Sequence, residues 1–327
     1  MTVKALQESF ASWRTQQEPL VLATVYETAG STYSKAGARM LITGDGRFQG
    51  MLSGGCLEGD LALRAEAVLA SNEPQCVTYD LGQNDEELWG LGVGCDGLMR
   101  VFLQPLRPEQ DYQPFTAMAA VFAGDEAGAA ATVLHSSHPG IASGATCVVT
   151  QEGTQVFGLP PASETLLAPG LEAALAGQQL GAAGLEMEGH ALEILFTPLQ
   201  PPPWILVLGA GLDAEPVVRL ASELGWRATV QDHRPAYIEN GNFSAAEQVL
   251  CEPAEALAGK LGWHRYRAVI VMSHHLDTDR KYLAQLAATD IPYIGLLGPH
   301  HRRRRLLDEL GADAAAALEP RLHGPAG

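Results

Sequence analysis

The segment Trp204-Ile-Leu-Val-Leu208-Gly209-Ala-Gly-Leu-Asp-Ala214-Glu215-Pro216 decides the fold of the C-terminal part of the chain. Its unbroken apolar run reads as a strand buried on both faces, as in parallel sheets. The run stops at a GxGxxA turn, and a helix is predicted over residues 215–224, with Pro216 in the first turn, where its missing N–H has no partner to lose. A second strand, 227–231, ends at Asp232-His233-Arg234, so an acidic residue follows the glycine turn at dinucleotide-fold spacing. Strands at 268–272 and 293–297 with a helix at 279–288 between them complete the prediction of an α/β, Rossmann-like, doubly wound parallel sheet. Use of a nucleotide is a separate matter. Asp213 favours the helix dipole but competes with any phosphate there. Asp232 and Arg234 either read a ribose and its phosphate or pair with each other.

Immediately upstream, Pro198-Leu-Gln-Pro201-Pro202-Pro203 makes a stiff connector that suits neither a helix nor a sheet interior, which places a domain border near residue 200 and domains at 1–199 and 204–327. The first of these reads as α+β with an internal duplication, in halves of about 1–106 and 107–199. Glu18-Pro-Leu-Val-Leu-Ala-Thr-Val25, Gly37-Ala38 and the closing Phe102-Leu-Gln-Pro-Leu106 recur in order as Glu126-Ala-Gly-Ala-Ala-Ala-Thr-Val133, Gly144-Ala145 and Leu195-Phe-Thr-Pro-Leu199. Each half is predicted to run strand, loop, strand, glycine turn, strand, helix, closing strand.

Composition narrows the function classes. With 46% hydrophobic and 18% charged residues among 327, the chain is too apolar for a disordered tail. Acidic residues outnumber basic ones 38 to 21, and a formal net charge of −17 repels nucleic acid and anionic membrane surfaces, so neither is an expected partner. Leu6, Phe10 and Trp13 recur at helical spacing with no basic region ahead of an apolar run, which predicts an amphipathic helix rather than a signal peptide. The five cysteines, Cys56, Cys76, Cys95, Cys147 and Cys251, are odd in number and lack CxxC spacing; a disulfide scaffold is excluded, and a reducing, cytoplasmic setting fits.

Two glycine-rich stretches in the first half carry a cysteine each. A hairpin over 39–52 runs into Ser53-Gly54-Gly55-Cys56-Leu57-Glu58, and a helix follows because Leu57, Leu61, Ala65 and Val68 trace one apolar face. Cys56 therefore falls near a helix N-terminus, where free N–H groups favour a thiolate and attract anions, and Gly54 and Gly55 let the backbone approach a ligand. A buried cysteine after a tight turn is the ordinary alternative. The second half has Leu159-Pro-Pro-Ala-Ser163 at this place, so the scaffold does not need the loop, and the weight shifts toward function. Gly90-Leu-Gly-Val-Gly94-Cys95-Asp-Gly97 is too glycine-rich for ordinary strand; it is either a close-contact segment or a flexible loop. If the two stretches converge, their thiolates suit a transition metal or a sulfur-carrying step. Lys35 and Arg39 are isolated cations nearby and candidate anion contacts, although Lys35 equally fits a solubilising charge. In the C-terminal part, His274 and Asp279 follow a strand at the edge where open α/β sheets bind ligands, and Arg302 to Arg305 form either a solvated face or a contact for an anion or acidic partner.

With Gly30-Ser31, Gly37-Ala-Arg-Met40, Gly54-Gly-Cys-Leu-Glu58 and Gly90-Leu-Gly-Val-Gly-Cys95, then Gly209-Ala-Gly211, Asp232-His-Arg234, Met272-Ser-His274, Asp279 and Gly295-Leu-Leu-Gly298, the sequence resembles the XdhC/CoxI family over nearly its whole length. These are accessory proteins of molybdenum hydroxylases such as xanthine dehydrogenase. The resemblance implies a non-catalytic chaperone that binds the molybdenum cofactor (molybdopterin), helps it acquire a sulfido ligand from a cysteine desulfurase, and delivers it to an apo molybdenum hydroxylase. It makes Cys56 and Cys95 candidate molybdenum or sulfur contacts, and Gly54, Gly55, Glu58 and Gly94, with Lys35 and Arg39, candidate cofactor-binding positions. Gly209, Gly211, Asp232, Arg234, His274 and Asp279 are expected to hold the pterin phosphate, a nucleotide such as NAD(P), or a partner. A homo-oligomer is expected. Two departures stand out: Thr32-Tyr33-Ser34-Lys35 replaces a frequent proline and arginine, and the chain stops at Gly324-Pro-Ala-Gly327 where relatives usually continue, so a C-terminal domain cut short is expected. The competing readings are an NAD(P)-dependent oxidoreductase with His274 as acid or base and a structural subunit of a hydroxylase complex.

Overall fold

The computed structural model describes residues 2–55, 57–80, 97–178 and 181–326. The chain forms two compact units, Met1–Pro201 and Pro202–Gly327. Among the described residues no helix is long and apolar enough to cross a membrane.

The first unit contains two antiparallel sheets. One is built from β1 (Leu20–Gly30), β2 (Arg39–Thr43), β3 (Phe48–Gly50), β4 (Gln75–Asp80) and β5 (Gly97–Leu106), in the order β3-β2-β1-β5-β4. The other uses β6 (Gly128–Ser136), β7 (Thr146–Thr150), β8 (Gly153–Phe157), β9 (Gly181–Met187) and β10 (His190–Leu199), in the order β8-β7-β6-β10-β9. The two orders are the same, position for position. Local bonds repeat as well: Val25 N–H donates to Ala38 O and Gly37 N–H to Val25 O, while Val133 N–H donates to Ala145 O and Gly144 N–H to Val133 O. Each sheet carries one helix on its outer face, Glu58–Ser71 on the first and Ser163–Leu175 on the second, through separate cores around Leu61 and Val68 and around Leu167 and Leu171. Between the sheets lies a third core, where Leu6, Phe10 and Trp13 of the helix Val3–Thr15 meet Phe115, Met118 and Phe122 of the helix Phe115–Ala123.

Each half has one strand more than the sequence pattern predicts. In β4 the branched and aromatic residues are confined to Val77, Thr78 and Tyr79 between polar ends, and in β9 the first four residues are glycine or alanine, so neither segment shows the longer run of branched or aromatic residues that marks a strand.

The second unit is one six-stranded parallel sheet. Its strands β11 (Trp204–Leu208), β12 (Arg227–Gln231), β13 (Gln248–Leu250), β14 (Tyr266–Val271), β15 (Tyr293–Leu296) and β16 (Leu322–His323) lie in the order β13-β12-β11-β14-β15-β16. This is the Rossmann order, and the direction of winding reverses between β11 and β14. Helix Ala214–Glu223 covers one face, whereas Leu276–Leu286 and His300–Leu310 cover the other, around fully buried Leu206, Leu208, Val269 and Val271. The helix between β14 and β15 starts three residues before its predicted position, because His275 caps it by accepting from Thr278 N–H.

In the core between the sheets of the first unit, Phe10 is 5% exposed and makes edge-on ring contacts with Tyr112 and Phe115 at centroid distances of 5.6 and 4.8 Å. Phe10→Ala is expected to destabilise the protein by ~3 kcal/mol, read from denaturant unfolding, because it leaves a cavity lined by two rings.

Candidate functional site

The first unit concentrates sequence-predicted positions at one edge of its first sheet. Gly30 ends β1 opposite Gly97, the first residue of β5. The loop after β1 reaches the hairpin end through Ser34 Oγ, which donates to Met51 O at 3.2 Å. Beyond Met51 the chain wraps around one carboxylate. Glu58 Oε1 accepts from the N–H groups of Leu52 and Ser53 at 2.8 and 2.9 Å, and Oε2 accepts from Ser53 Oγ at 2.6 Å and Gly55 N–H at 2.9 Å. Ser53 Oγ in turn accepts from Leu57 N–H at 2.7 Å. Glu58 is 2% exposed. Burial pushes its pKa up, but the Ser53 hydroxyl and the Ser53 and Leu52 N–H groups outweigh burial and leave it below the ordinary carboxylate range. Its four acceptor bonds are all internal to the loop, so in this structure Glu58 shapes the cradle and presents no free oxygen to a ligand.

The cradle is open at Gly55. Gly54 and Gly55 have φ of +78° and +110°, and a Cβ at Gly55 would meet nothing within 4 Å. Side chains are disfavoured there by backbone conformation, and the space above Gly55 is free for another molecule. Cys56, Gly94 and Cys95 lie outside the described residues. Of the other cysteines, Cys147 is buried with its thiol pushed up to about 11 by burial, the half-buried Cys76 is likewise raised by burial, and Cys251 is exposed.

Lys35 and Arg39 do not share a site. Lys35 borders a cavity of about 510 Å³ with Tyr26, Glu27 and Gly181. Arg39 lines another of about 410 Å³, with Leu6, Tyr33, Ser34, Met51 and Gln200 among its neighbours. The Arg39 guanidinium donates from Nη2 to Thr197 Oγ1 at 2.7 Å and from Nη1 to Gly37 O at 3.3 Å.

In the second unit the predicted positions gather at the carboxyl edge of the sheet, around the β11–β14 reversal, and satisfy one another. Asp232 is fully buried. Its Oδ2 accepts from Ala210 N–H at 2.8 Å and Arg234 Nη2 at 2.7 Å, and its Oδ1 from Arg234 N–H and Nε, both at 2.9 Å. Burial works against the carboxylate, but the Arg234 bonds and the Ala210 N–H outweigh it and depress its pKa. Of the two readings open for Asp232 and Arg234, the structure shows the pair. Gly209 has φ +127°, and a Cβ there would lie 2.5 Å from Met272 O, so this glycine serves the close approach of the turn to the chain after β14. At Gly211 a Cβ would lie 2.6 Å from Asp213 Oδ1, and the Asp213 carboxylate pairs with His274 Nε2 at 2.7 Å. A negative charge thus already stands at the first turn of Ala214–Glu223, where a dinucleotide would place its pyrophosphate. Asp279, 1% exposed, accepts from Ser273 Oγ and from Arg302 Nη2 at 2.6 Å, which ties two helices together. Arg302 therefore leaves the predicted basic face, while Arg305 pairs with Glu309 at 2.8 Å.

The residues missed by sequence reading are Ser53, Tyr33 and Thr197. Ser53 had a signal, since a hydroxyl shortly before an acidic residue at a helix start is the material of a reciprocal cap. Thr197 had none, because it meets Arg39 across 158 positions of chain. Because the folded Glu58 pKa is depressed, its contribution to stability is present at neutral pH and is lost as pH falls through the folded value. Glu58→Gln is expected to cost ~2 kcal/mol at neutral pH, and the stability gap between wild type and variant should close on acidification below about pH 4. A gap in urea unfolding that is constant down that range would count against this account.

The comparisons with known proteins follow the same two parts of the chain. The XdhC and CoxI family model matches residues 13–80, and the XdhC Rossmann domain model matches residues 205–327. The chain is 30% identical over 293 residues to a probable xanthine dehydrogenase subunit from Bacillus subtilis, covering 89% of this chain and 83% of that protein. It is 31% identical over 90 residues to the molybdenum cofactor insertion chaperone PaoD of Escherichia coli, 28% of this chain and 27% of that one. Among solved structures, a xanthine dehydrogenase from Bacillus halodurans superposes with a TM-score of 0.78 at 27% identity, covering 100% of this chain and 89% of that one. Since the match to the Bacillus subtilis protein spans both units and each unit is recognised by its own model, the chain belongs to the XdhC and CoxI family.

Proposed function

We propose that the protein is an accessory chaperone that binds the molybdenum cofactor as cargo, assists its sulfuration and inserts it into a xanthine dehydrogenase-like hydroxylase. The observation that carries this reading is the Glu58-organised loop, whose Gly55 faces open space and which is followed in sequence by Cys56. Such a loop is already shaped before a ligand arrives, so little ordering cost remains on binding. Family membership and the name of the Escherichia coli relative support the choice of cargo. The cofactor's pterin would rest on Gly54 and Gly55, and Cys56 and Cys95 would contact the molybdenum or handle the sulfur that a cysteine desulfurase supplies. A soft thiolate suits both tasks. In this reading the protein acts in the cytoplasm on an apo-hydroxylase, turns over no substrate, and the second unit serves a partner or a second copy of the chain.

The dehydrogenase alternative has little in its favour. A ribose needs the Asp232 carboxylate, which is buried and bonded to Arg234 and Ala210. Titration with NADH or NADPH is expected to leave nicotinamide fluorescence unchanged; a saturable change would revive the oxidoreductase reading. For the chaperone, protein purified from cells that make the cofactor should carry molybdopterin, assayed as its fluorescent oxidation product, and Cys56→Ala should lose most of it. Loaded protein should activate apo-hydroxylase beyond what free cofactor achieves, and the absence of any gain would sink the insertion role.

A further inference from the structure

Arg39 is unlike the other arginines of the first unit. Arg14, Arg47, Arg64 and Arg100 each pair with a carboxylate, at 2.6, 2.6, 2.5 and 2.8 Å respectively. Arg107 bonds Leu69 O and Asn72 Oδ1 near the surface. Arg39 instead holds two neutral oxygens, Thr197 Oγ1 and Gly37 O, and lies over the Phe122 ring at 5.9 Å; its buried Nε, like that of Arg100, has no acceptor among the described residues. Among the described residues, the cavity it lines has no acidic side chain in its wall. In a chain with 38 acidic and 21 basic residues, a sheltered cation with no carboxylate partner among the described residues is a cost that the described fold does not explain.

The other half of the first unit sharpens the point. Arg39 faces Thr24 across β1 and β2, and in the second sheet the same register sets Thr146 against Thr132. Thr146 Oγ1 bonds Gly144 O at 2.9 Å, the equivalent of the Arg39 bond to Gly37 O. A threonine therefore performs the local task, and the guanidinium exceeds it. Tyr33 joins this cavity to the glycine loop, because it lines the cavity and its ring lies 3.4 Å from where a Gly54 Cβ would stand.

We propose that Arg39 anchors a phosphate subsite, in which the 410 Å³ cavity takes the phosphate end of a ligand whose pterin lies on the Gly54–Gly55 loop. The identity of the pterin end rests on the reading above; the phosphate end rests on Arg39 and its cavity. The guanidinium fork matches phosphate oxygens, and the acceptors its terminal nitrogens now hold, Thr197 Oγ1 and Gly37 O, are neutral. Burial pushes the Arg39 pKa down to about 10, which leaves it charged at neutral pH and ready for an anion. Lys35, in a separate cavity, takes no part.

The test compares two fluorescent pterins that share ring and side chain, one ending in a phosphate monoester and the other in a hydroxyl, with the full chain. The phosphorylated form should bind roughly 10- to 100-fold tighter, the range for charge-assisted bonds to a buried donor. In Arg39→Gln the preference should collapse while the hydroxyl form binds as to wild type, and Arg39→Lys should restore part of it. Equal binding of both forms by the wild type overturns the subsite and leaves the pterin reading standing, with no variant required. If neither pterin binds, the pterin reading fails, and the ³¹P line width of inorganic phosphate decides the subsite alone: broadening by wild type but not by Arg39→Gln upholds it, and no broadening by wild type overturns it.

Discussion

The first unit's candidate site depends on one buried carboxylate. Glu58 gathers three backbone N–H groups and a hydroxyl from the six residues before it, and that same Ser53 hydroxyl oxygen takes the Leu57 N–H. The charge is tolerable in a buried place only because every lone pair has a donor, and the loop holds its path only because the charge draws those donors in. Each condition supplies the other. The glycines can then be spared for access, since the loop needs no side chain of its own at Gly54 or Gly55 to stay in place.

Much of this was legible beforehand, and the reasons differ by element. The Rossmann-like sheet announced itself because β11 and the 268–271 part of β14 are continuous apolar runs and the glycine turn sits between strand and helix. The shared order of the two antiparallel sheets was visible in landmarks such as Val25 and Val133, which turn out to make the same pair of backbone bonds. Strands β4 and β9 were not visible, since their inward positions are few or occupied by small residues. Distant partners were not visible either: nothing local to Arg39 points to Thr197, and nothing local to Lys35 sends it to a different cavity.

The second unit shows how a fold can be legible in a sequence while the use of its glycine turn stays open. Gly209, Gly211, Asp232 and Arg234 stand in dinucleotide spacing, yet close approach to Met272, the Asp213–His274 pair and the buried Asp232–Arg234 pair employ them within the protein. Spacing reports where a backbone must turn. Whether the groups at the turn remain free depends on side chains such as His274, which arrives after β14, some sixty residues along the chain from Asp213.

A feature of the sheets bears on how one chain comes to hold an asymmetric site. Strand β1 skips Tyr26 in its pairing with β5, and β6 skips Leu134 in its pairing with β10; these two residues meet Phe102 and Leu195 in a small shared core. Tyr26 and Leu134 occupy corresponding places in the two halves, as do Phe102 and Leu195, so each half offers the other the same patch, the geometry of a two-fold dimer contact. In a true dimer that contact would form only above some protein concentration, and any change at one loop would appear twice. Joined in one polypeptide, the halves meet at fixed effective concentration, and a residue can change on one side alone. That freedom is what allows Arg39 and the Gly54–Gly55 loop to occur once per chain, opposite Thr146 and a loop of prolines.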